Sequence, residues 1–292
     1  MRVLVTGAKG LLGTNFIKDL LHRHEVFAVC RPGTPHNVGE EGLDQIHWVE
    51  IDLSKPIEFS QMPNHVDAVV HLAQSNHYQE FPEQADDIFS VNVVSTQSLL
   101  DYARRAGAKW FFHASTGSVY EPYTTGLKEE DPIAPESFYA LSKHMAENLA
   151  QAYSQYMNVC VFRLFFLYGE GAISGLVKTL IDHTRDQEVI TLEGSSGGLV
   201  FNPTCAGDVS TIMIRAMEEQ WTGIYNVASP QSIDIQSLVG EISTLVNKEP
   251  ILEYAGVKTP LPITPNLEKI QKKLGDFKFV PIQKGLSVMI SE

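Results

Sequence analysis

The sequence predicts an α/β fold: a doubly wound parallel sheet with a smaller, mostly helical C-terminal lobe. Three observations carry this. Short β-rich runs alternate with helical stretches through the first half of the chain. The first run opens directly into the glycine loop TGAKGLLG. Beyond about residue 170 the alternation loses its regularity.

Taken in order, RVLVT is a near-continuous apolar run, as a strand buried on both faces requires. A helix near 11–23 follows, then the strands VFAVC, IHWVEI and DAVVHLA, a long helix near 86–106, and the strand KWFFHAS. A helix near 137–156 leads into VCVFRLFF. Helices are expected near 174–185, 206–219 and 235–247, with glycine-rich GSSGG at 194–198 and prolines between 250 and 265. This pattern sets a first domain at 1–168 and a second lobe at 169–292, partly interleaved with strands returning to the first. There is no internal repeat and no low-complexity tail.

The composition, 43% hydrophobic and 20% charged, is that of an ordinary globular protein able to bury a sizeable core. The formal charge of −13 argues against nucleic acid or an anionic membrane as partner, because both need basic surface. A small molecule is the expected partner, and any phosphate on it must be held by local devices. Cys30, Cys160 and Cys205 are odd in number and widely separated, which favours buried thiols over disulfides or a metal site. The apolar run VCVFRLFFLY is short and carries Arg163, and no secretory signal precedes the first strand, so a cytoplasmic location is expected.

TGAKGLLG places Gly7, Gly10 and Gly13 between a strand and an amphipathic helix, the setting of a dinucleotide phosphate turn. Gly7 permits the tight turn, Gly10 lets backbone approach a pyrophosphate, and Gly13 lets helix and strand pack closely. The helix start adds N–H donors and partial positive charge. The first domain is therefore expected to bind a dinucleotide and the second lobe its co-substrate. An acidic residue at the end of the second strand would read a free ribose 2′-hydroxyl, but that strand ends Cys30-Arg31-Pro32-Gly33. Arg31 can pair with a 2′-phosphate and stack on adenine, which tilts the expectation toward NADP over NAD. Asp52, ending the third strand, is placed to accept from the adenine amino group.

Tyr139-Ala140-Leu141-Ser142-Lys143 follows Thr116 by 23 residues. On a helix the phenol and the ammonium, four residues apart, share a face. A neighbouring cation stabilises phenolate and lowers a pKa that starts near ~10. Such a phenol can exchange the proton of an alcohol/ketone pair. A second copy of the spacing, Tyr254 and Lys258, has no Ser/Thr strand end upstream and is read as coincidence.

Together TGAKGLLG, Asp52-Leu53, His71-Leu72-Ala73, Asn92, HASTGSVY and Tyr139 to Lys143 resemble the extended short-chain dehydrogenase/reductases, and among them the NAD-dependent epimerase/dehydratase family of sugar-nucleotide enzymes. RLFFLYG, NPTCAGDV, GIYNVAS and KLGDFKFVPIQKGL extend the likeness over nearly the whole chain. The resemblance implies a Rossmann-like fold and a NAD or NADP cofactor. It makes Thr116 the hydrogen-bonding partner of the substrate oxygen, Tyr139 the proton-transfer residue, and Lys143 the holder of the nicotinamide ribose. Carried over by position, the cofactor site comprises Gly7, Lys9, Gly10, Leu11, Gly13, Arg31, Asp52, Leu53, Leu72, Ala73, Gln74, Asn92, Ser115, Tyr139, Lys143 and Phe166. Ser75, Thr116, Ser118, Lys178 and Asn202 are assigned to substrate, and no residue to a metal. Family members often dimerise through the helices that hold the pentad and Asn92, so a homodimer is compatible with the apolar residues there.

The family's 4,6-dehydratases carry Asp-Glu directly after the threonine, where this chain has Gly117-Ser118; these cannot perform the elimination, and the dehydratase reading is set aside. A cysteine at the position of Ser118, which the GDP-fucose type of epimerase-reductase uses, is also absent. What remains needs only hydride and one phenolic proton: 4-epimerisation, reduction of a keto-sugar, or oxidation of a secondary alcohol, with the first two preferred. Three departures point to a different or smaller head group: Phe166 for the usual asparagine, Phe201 for a diphosphate-binding arginine, and no Arg-Pro-Gly-Asp element at 258–262. Lys178, His183 or Arg185 could compensate. The rival readings are a reductase of small hydroxysteroid- or flavonol-like ketones and a non-catalytic sensor of nicotinamide state; a sensor would not be expected to keep Thr116, Tyr139 and Lys143.

Overall fold

The computed structural model describes residues 1–21, 23–35, 45–194, 197–256 and 260–291. Its strands are β1 (Arg2–Thr6), β2 (Glu25–Cys30), β3 (His47–Glu50), β4 (Ala68–His71), β5 (Trp110–Thr116), β6 (Asn158–Leu164), β7 (Leu167–Tyr168), β8 (Val189–Glu193), β9 (Val200–Phe201), β10 (Thr204–Cys205), β11 (Gly223–Val227), β12 (Ile233–Asp234) and β13 (Ile251–Ala255). The helices are α1 (Leu11–Leu20), α2 (Ala85–Phe89), α3 (Ser95–Arg105), α4 (Phe138–Ala152), α5 (Leu176–Asp186), α6 (Ala206–Glu218), α7 (Ile235–Val246), α8 (Glu268–Leu274) and α9 (Ile282–Ser291).

Seven strands form one sheet in the order β11-β6-β5-β4-β1-β2-β3. The pairs β1–β2, β2–β3, β1–β4 and β4–β5 are parallel. Strand order reverses between β1 and β4, so their carboxyl ends frame a crevice of the kind where ligands bind in doubly wound sheets. The expected Rossmann-like α/β fold is what forms. Val3, Leu4 and Val5 of β1 and Val69 and Val70 of β4 are fully buried, in keeping with the apolar runs that define these strands. Helix α1 buries Leu12, Phe16, Ile17 and Leu20, a helical stripe.

The chain divides into two compact units. The first comprises Met1–Glu121, Ile133–Arg163 and Ser210–Tyr225; the second comprises Pro122–Pro132, Leu164–Val209 and Asn226–Glu292. The boundary expected after residue 168 compares with a passage at Arg163–Leu164, and the chain makes two further exchanges at 122–132 and 210–225. The second unit contains α5, α7, α8 and α9 with three two-stranded pairings, β7–β10, β9–β12 and β8–β13. Its buried residues include Leu180, Ile181, Leu192, Leu238, Ile242 and Leu286.

One expectation is corrected. The long helix near 86–106 forms as a continuous helical segment but is not α-helical throughout: α2 passes through a π-helical turn at Ser90–Val94 into α3. Ser95 Oγ donates to the Val91 carbonyl at 2.6 Å and Thr96 Oγ1 to that of Asn92 at 2.7 Å, competing with the helical backbone pattern. Tyr254 of the second YxxxK spacing lies on β13, where residues four apart do not stack as on a helix; Lys258 lies outside the described residues, as do Ser195 and Ser196 of GSSGG. None of the three cysteines is in a disulfide; Cys30 and Cys160 are buried and Cys205 half-buried. Among the described residues no helix is long and apolar enough to cross a membrane, and no His/Cys/Asp/Glu cluster could hold a metal ion.

Candidate active site

The glycine loop is a backbone cradle. Gly7 has φ +68, and a Cβ there would lie 2.7 Å from the Ala73 nitrogen. At Gly13 a Cβ would lie 2.1 Å from the Gly7 carbonyl oxygen, so helix and loop can pack this closely only around glycine. Helix α1 starts after Gly10 with no side-chain cap. The first-turn N–H groups of Leu11 to Gly13 have no intrahelical acceptor and suit a phosphate. The residues present therefore fit a dinucleotide's pyrophosphate. Leu72 and Ala73, leaving β4, close on this turn, their N–H groups donating to the Thr6 carbonyl and to Thr6 Oγ1, each at 3.3 Å.

From the same loop Lys9 Nζ lies 4.3 Å over the Trp48 ring of β3. Arg31 is exposed. Asp52 accepts from Ser54 Oγ at 2.7 Å and Ser54 N at 3.1 Å and pairs with Lys55 at 3.3 Å. The Ser54 hydroxyl is the main reason its carboxyl sits below the ordinary value. Leu53 is buried beside it.

Tyr139, Lys143 and Thr116 all belong to the first unit. Ser137 caps α4 by accepting the Ala140 N–H at 3.2 Å, which places Tyr139 in the first turn. The Tyr139 phenol donates to Gln74 Oε1 at 2.9 Å, and the Tyr78 ring lies 5.0 Å from the Tyr139 ring. Lys143, one turn deeper, is 2% exposed and donates to the Ala114 carbonyl at 2.7 Å. Burial lowers its ammonium to about 8, against the opposing pull of Glu147. Thr116 ends β5, its Oγ1 accepting from Ser118 N at 3.2 Å and donating to Ser118 Oγ at 3.3 Å.

Asn92 sits in the π-helical turn and ties the site together. Its Oδ1 accepts from Ser75 N at 2.9 Å, and its Nδ2 donates to Ser142 Oγ at 2.9 Å, which in turn donates to the Tyr139 carbonyl at 2.7 Å. Ser75 Oγ is bonded to Asp87. π-helical turns of this sort recur at functional sites.

Beneath the pentad lies a buried polar layer that sequence reasoning missed. Glu147 and Arg163, each 2% exposed, pair at 2.8 and 3.1 Å, and Arg163 also donates to the Tyr120 hydroxyl at 2.8 Å. Burial pushes the Glu147 carboxyl up, but His144, 3.9 Å away, and the bonds from Arg163 outweigh it and hold it below its ordinary value. The signal available was Glu147 itself, four residues beyond Lys143 on the same helix face. His71 bridges Thr6 Oγ1 at 2.7 Å and Thr96 Oγ1 at 2.9 Å. Because Thr96 gives its own proton to the Asn92 carbonyl, His71 must donate from Nε2 and is neutral; burial, then Lys143, pushes it down to about 3. His113, 5.3 Å from His71 ring to ring, is held well below its ordinary value by burial and then Lys143. Both imidazoles are therefore uncharged beside the lysine.

Phe166, Lys178 and Asn202 belong to the second unit. Phe166 holds φ +42, uncommon for a bulky residue, with its ring 4.7 Å from that of buried Phe201. Lys178 pairs with Asp182 at 2.5 Å, His183 with Glu188 at 3.2 Å, and Arg185 donates to the Ile290 carbonyl at 3.4 Å. Asn202 Nδ2 donates to the Ser229 carbonyl at 2.8 Å, while its buried Oδ1 has no hydrogen-bond partner among the described residues.

The sequence signature of the NAD dependent epimerase/dehydratase family matches residues 3–228. The zebrafish Danio rerio UDP-glucuronic acid decarboxylase 1 is 24% identical over 99% of this chain and 72% of its own length. A dTDP-glucose 4,6-dehydratase of Mycobacterium tuberculosis is 32% identical, over 52% of this chain and 49% of its own. In fold, MoeE5 in complex with UDP-glucuronic acid and NAD superposes with a TM-score of 0.84 at 24% identity, covering 100% of this chain and 98% of its own. The UDP-glucuronic acid 4-epimerase from Bacillus cereus gives 0.85 at 20% identity with the same coverage. The glycine cradle at the β1/β4 crevice and the Thr116, Tyr139 and Lys143 constellation sit within the matched span, and the chain belongs to the NAD dependent epimerase/dehydratase family of extended short-chain dehydrogenase/reductase enzymes.

Proposed function

We propose that the chain transfers hydride at a secondary hydroxyl of a nucleotide sugar, as a 4-epimerase or 4-ketoreductase and not as a 4,6-dehydratase. The observation that carries this is Lys143 buried one helical turn from Tyr139, with neutral His71 and His113 beside it. A nicotinamide dinucleotide, when bound, supplies the hydride acceptor and donor. The backbone of Gly7, Gly10 and Leu11 holds its pyrophosphate. Lys9, Arg31, Asp52 and Leu53 flank its adenosine end, and Leu72, Ala73, Gln74, Asn92, Ser115 and Lys143 its nicotinamide end.

Tyr139 takes the hydroxyl proton as the same carbon gives up hydride, and returns a proton to the oxygen when the ketone is reduced. Thr116 hydrogen-bonds that oxygen, and Ser118 and Ser75 adjoin it. Lys143 stabilises the phenolate form of Tyr139. Gly117 and Ser118 offer no acid/base pair for loss of water, which sets this chain apart from its dehydratase relatives. In the second unit, Asn202 Oδ1, without a hydrogen-bond partner among the described residues, suits a substrate donor, whereas Lys178 and Arg185 are already held by Asp182 and the Ile290 carbonyl.

Relatives and fold neighbours named for UDP-glucuronic acid support a uronic acid sugar nucleotide as the first substrate to try. Oxidation at C4 of such a sugar creates a ketone β to the carboxylate, so the same hydride step can end in epimerisation or in loss of carbon dioxide. The packed Phe166 and Phe201 rings favour a second reading, reduction of a small non-nucleotide ketone. Incubation with UDP-glucuronic acid, UDP-glucose, dTDP-glucose and a panel of apolar ketones, with products resolved by NMR, separates them: conversion confined to the apolar ketones defeats the nucleotide-sugar reading.

A homodimer is part of the proposal. Phe89 and Val94 on the α2–α3 segment and Leu141 and Met145 on α4 are exposed apolar residues on the two helical stretches that carry Asn92 and the pentad. Light scattering should return twice the mass of one chain, and a monomer with Leu141→Lys and Met145→Lys together.

A further inference from the structure

Strand β2 ends at Cys30 and Arg31, with no carboxylate of its own for an adenosine ribose. The parallel register places Glu50, the last residue of β3, directly beside Cys30. Paired residues on neighbouring strands project from the same face, so the Glu50 side chain lies where an acid from β2 would otherwise stand. The Gly33 N–H, in the turn that leaves β2, donates to Glu50 Oε2 at 3.1 Å. That bond draws the carboxylate over the end of β2. Two opposite charges act on the buried Cys30 thiol: burial and then Glu50 push it up, while Lys9 of the glycine loop pulls it down. Cys30 therefore marks a point shared by the glycine loop, the end of β2 and Glu50.

We propose that Glu50 replaces the missing strand-end acid, accepting hydrogen bonds from the adenosine ribose diol of NAD and repelling the 2′-phosphate of NADP. The proposal rests on the dinucleotide reading of the glycine loop. Arg31 by itself points to NADP; the register adds an anion that Arg31 must outweigh. Lys9, the other cation nearby, already lies over the Trp48 ring. A phosphate at the 2′ position would meet the Glu50 carboxylate as a like charge, whereas a hydroxyl donates to it.

The test is calorimetric binding of NAD and of NADP to the full chain, freed of nucleotide, as wild type and as Glu50→Gln. Glutamine keeps an acceptor for the Gly33 N–H, so the turn is retained and only the charge changes; melting temperature confirms the fold. The wild type should prefer NAD by about tenfold or more, and Glu50→Gln should erode that preference by about tenfold. Wild-type preference for NADP, or a ratio that stays within about twofold in Glu50→Gln, overturns the role of Glu50 while leaving the cofactor reading intact. Failure of both dinucleotides to bind the wild type overturns the cofactor reading and this proposal with it.

Discussion

The Tyr139 phenol donates a hydrogen bond to Gln74 Oε1 at 2.9 Å, so the residue proposed for proton transfer is held by the loop that leaves β4 as well as by its own helix. The acceptor orients the hydroxyl of Tyr139 while the Tyr78 ring flanks it. Gln74→Ala should lower kcat by up to about tenfold, the scale of one neutral hydrogen bond, with little change in melting temperature because Gln74 is exposed. Steady-state kinetics beside a thermal melt checks this; an unchanged kcat removes Gln74 from the proton-transfer apparatus.

Lys143 is a cost to the fold. Its folded pKa of about 8 lies below the 10.5 of a free lysine, so between these values the unfolded chain binds more protons and stability rises with pH. Below about pH 8 the full penalty, roughly 3 kcal/mol, is present. Lys143→Met should therefore be most stabilising relative to wild type near neutrality, with the advantage shrinking as pH is raised toward 10, while activity is lost. Denaturant titrations of both proteins across that range provide the check; an advantage that grows with pH contradicts the assignment.

The Glu147–Arg163 pair is buried under the site, and removal of one partner leaves the other charged and unpaired. Glu147→Ala should cost about 3–5 kcal/mol in unfolding free energy, and Glu147→Leu combined with Arg163→Met should recover most of it. A double variant as unstable as the single one would show that the charges themselves are required.

Gly10 and Gly13 separate two kinds of constraint in one loop. A Cβ at Gly13 would sit 2.1 Å from the Gly7 oxygen, but at Gly10 the same atom is 3.2 Å away. Gly13→Ala should unfold the chain or strip it of dinucleotide binding, whereas Gly10→Ala should fold. Expression, melting temperature and NAD titration of the two variants distinguish them, and comparable behaviour would contradict the geometry.

The sheet, the glycine loop and the Tyr139–Lys143 pair were legible because each is written in local sequence: apolar runs, a strand-loop-helix junction, a four-residue helical spacing. Glu50 was not, because its place beside Cys30 depends on the register of two strands joined by a long connection. The π-helical turn at Asn92 escaped for another reason. A one-residue change of phase in a long amphipathic pattern is within the scatter of helical periodicity, and what reveals it is the backbone bond from the Ser95 N–H to the Ser90 carbonyl, five residues back. Lys178 and Arg185 read in the sequence as cations that could compensate for missing substrate contacts; Asp182, on the same helix, could have warned that the first is paired, but the Ile290 carbonyl lies 105 residues from Arg185.

The central claim is that Tyr139 exchanges a proton with a nucleotide-sugar hydroxyl as hydride leaves its carbon. Rapid mixing of dinucleotide-loaded protein with UDP-glucuronic acid, UDP-glucose or dTDP-glucose, followed by the near-ultraviolet absorbance of reduced nicotinamide, measures that step directly. Wild type should reduce its nicotinamide with at least one of these sugars, and Tyr139→Phe should do so more slowly by about 10²-fold or more. Reduction at equal rates in both proteins, or none with any nucleotide sugar, would contradict the account.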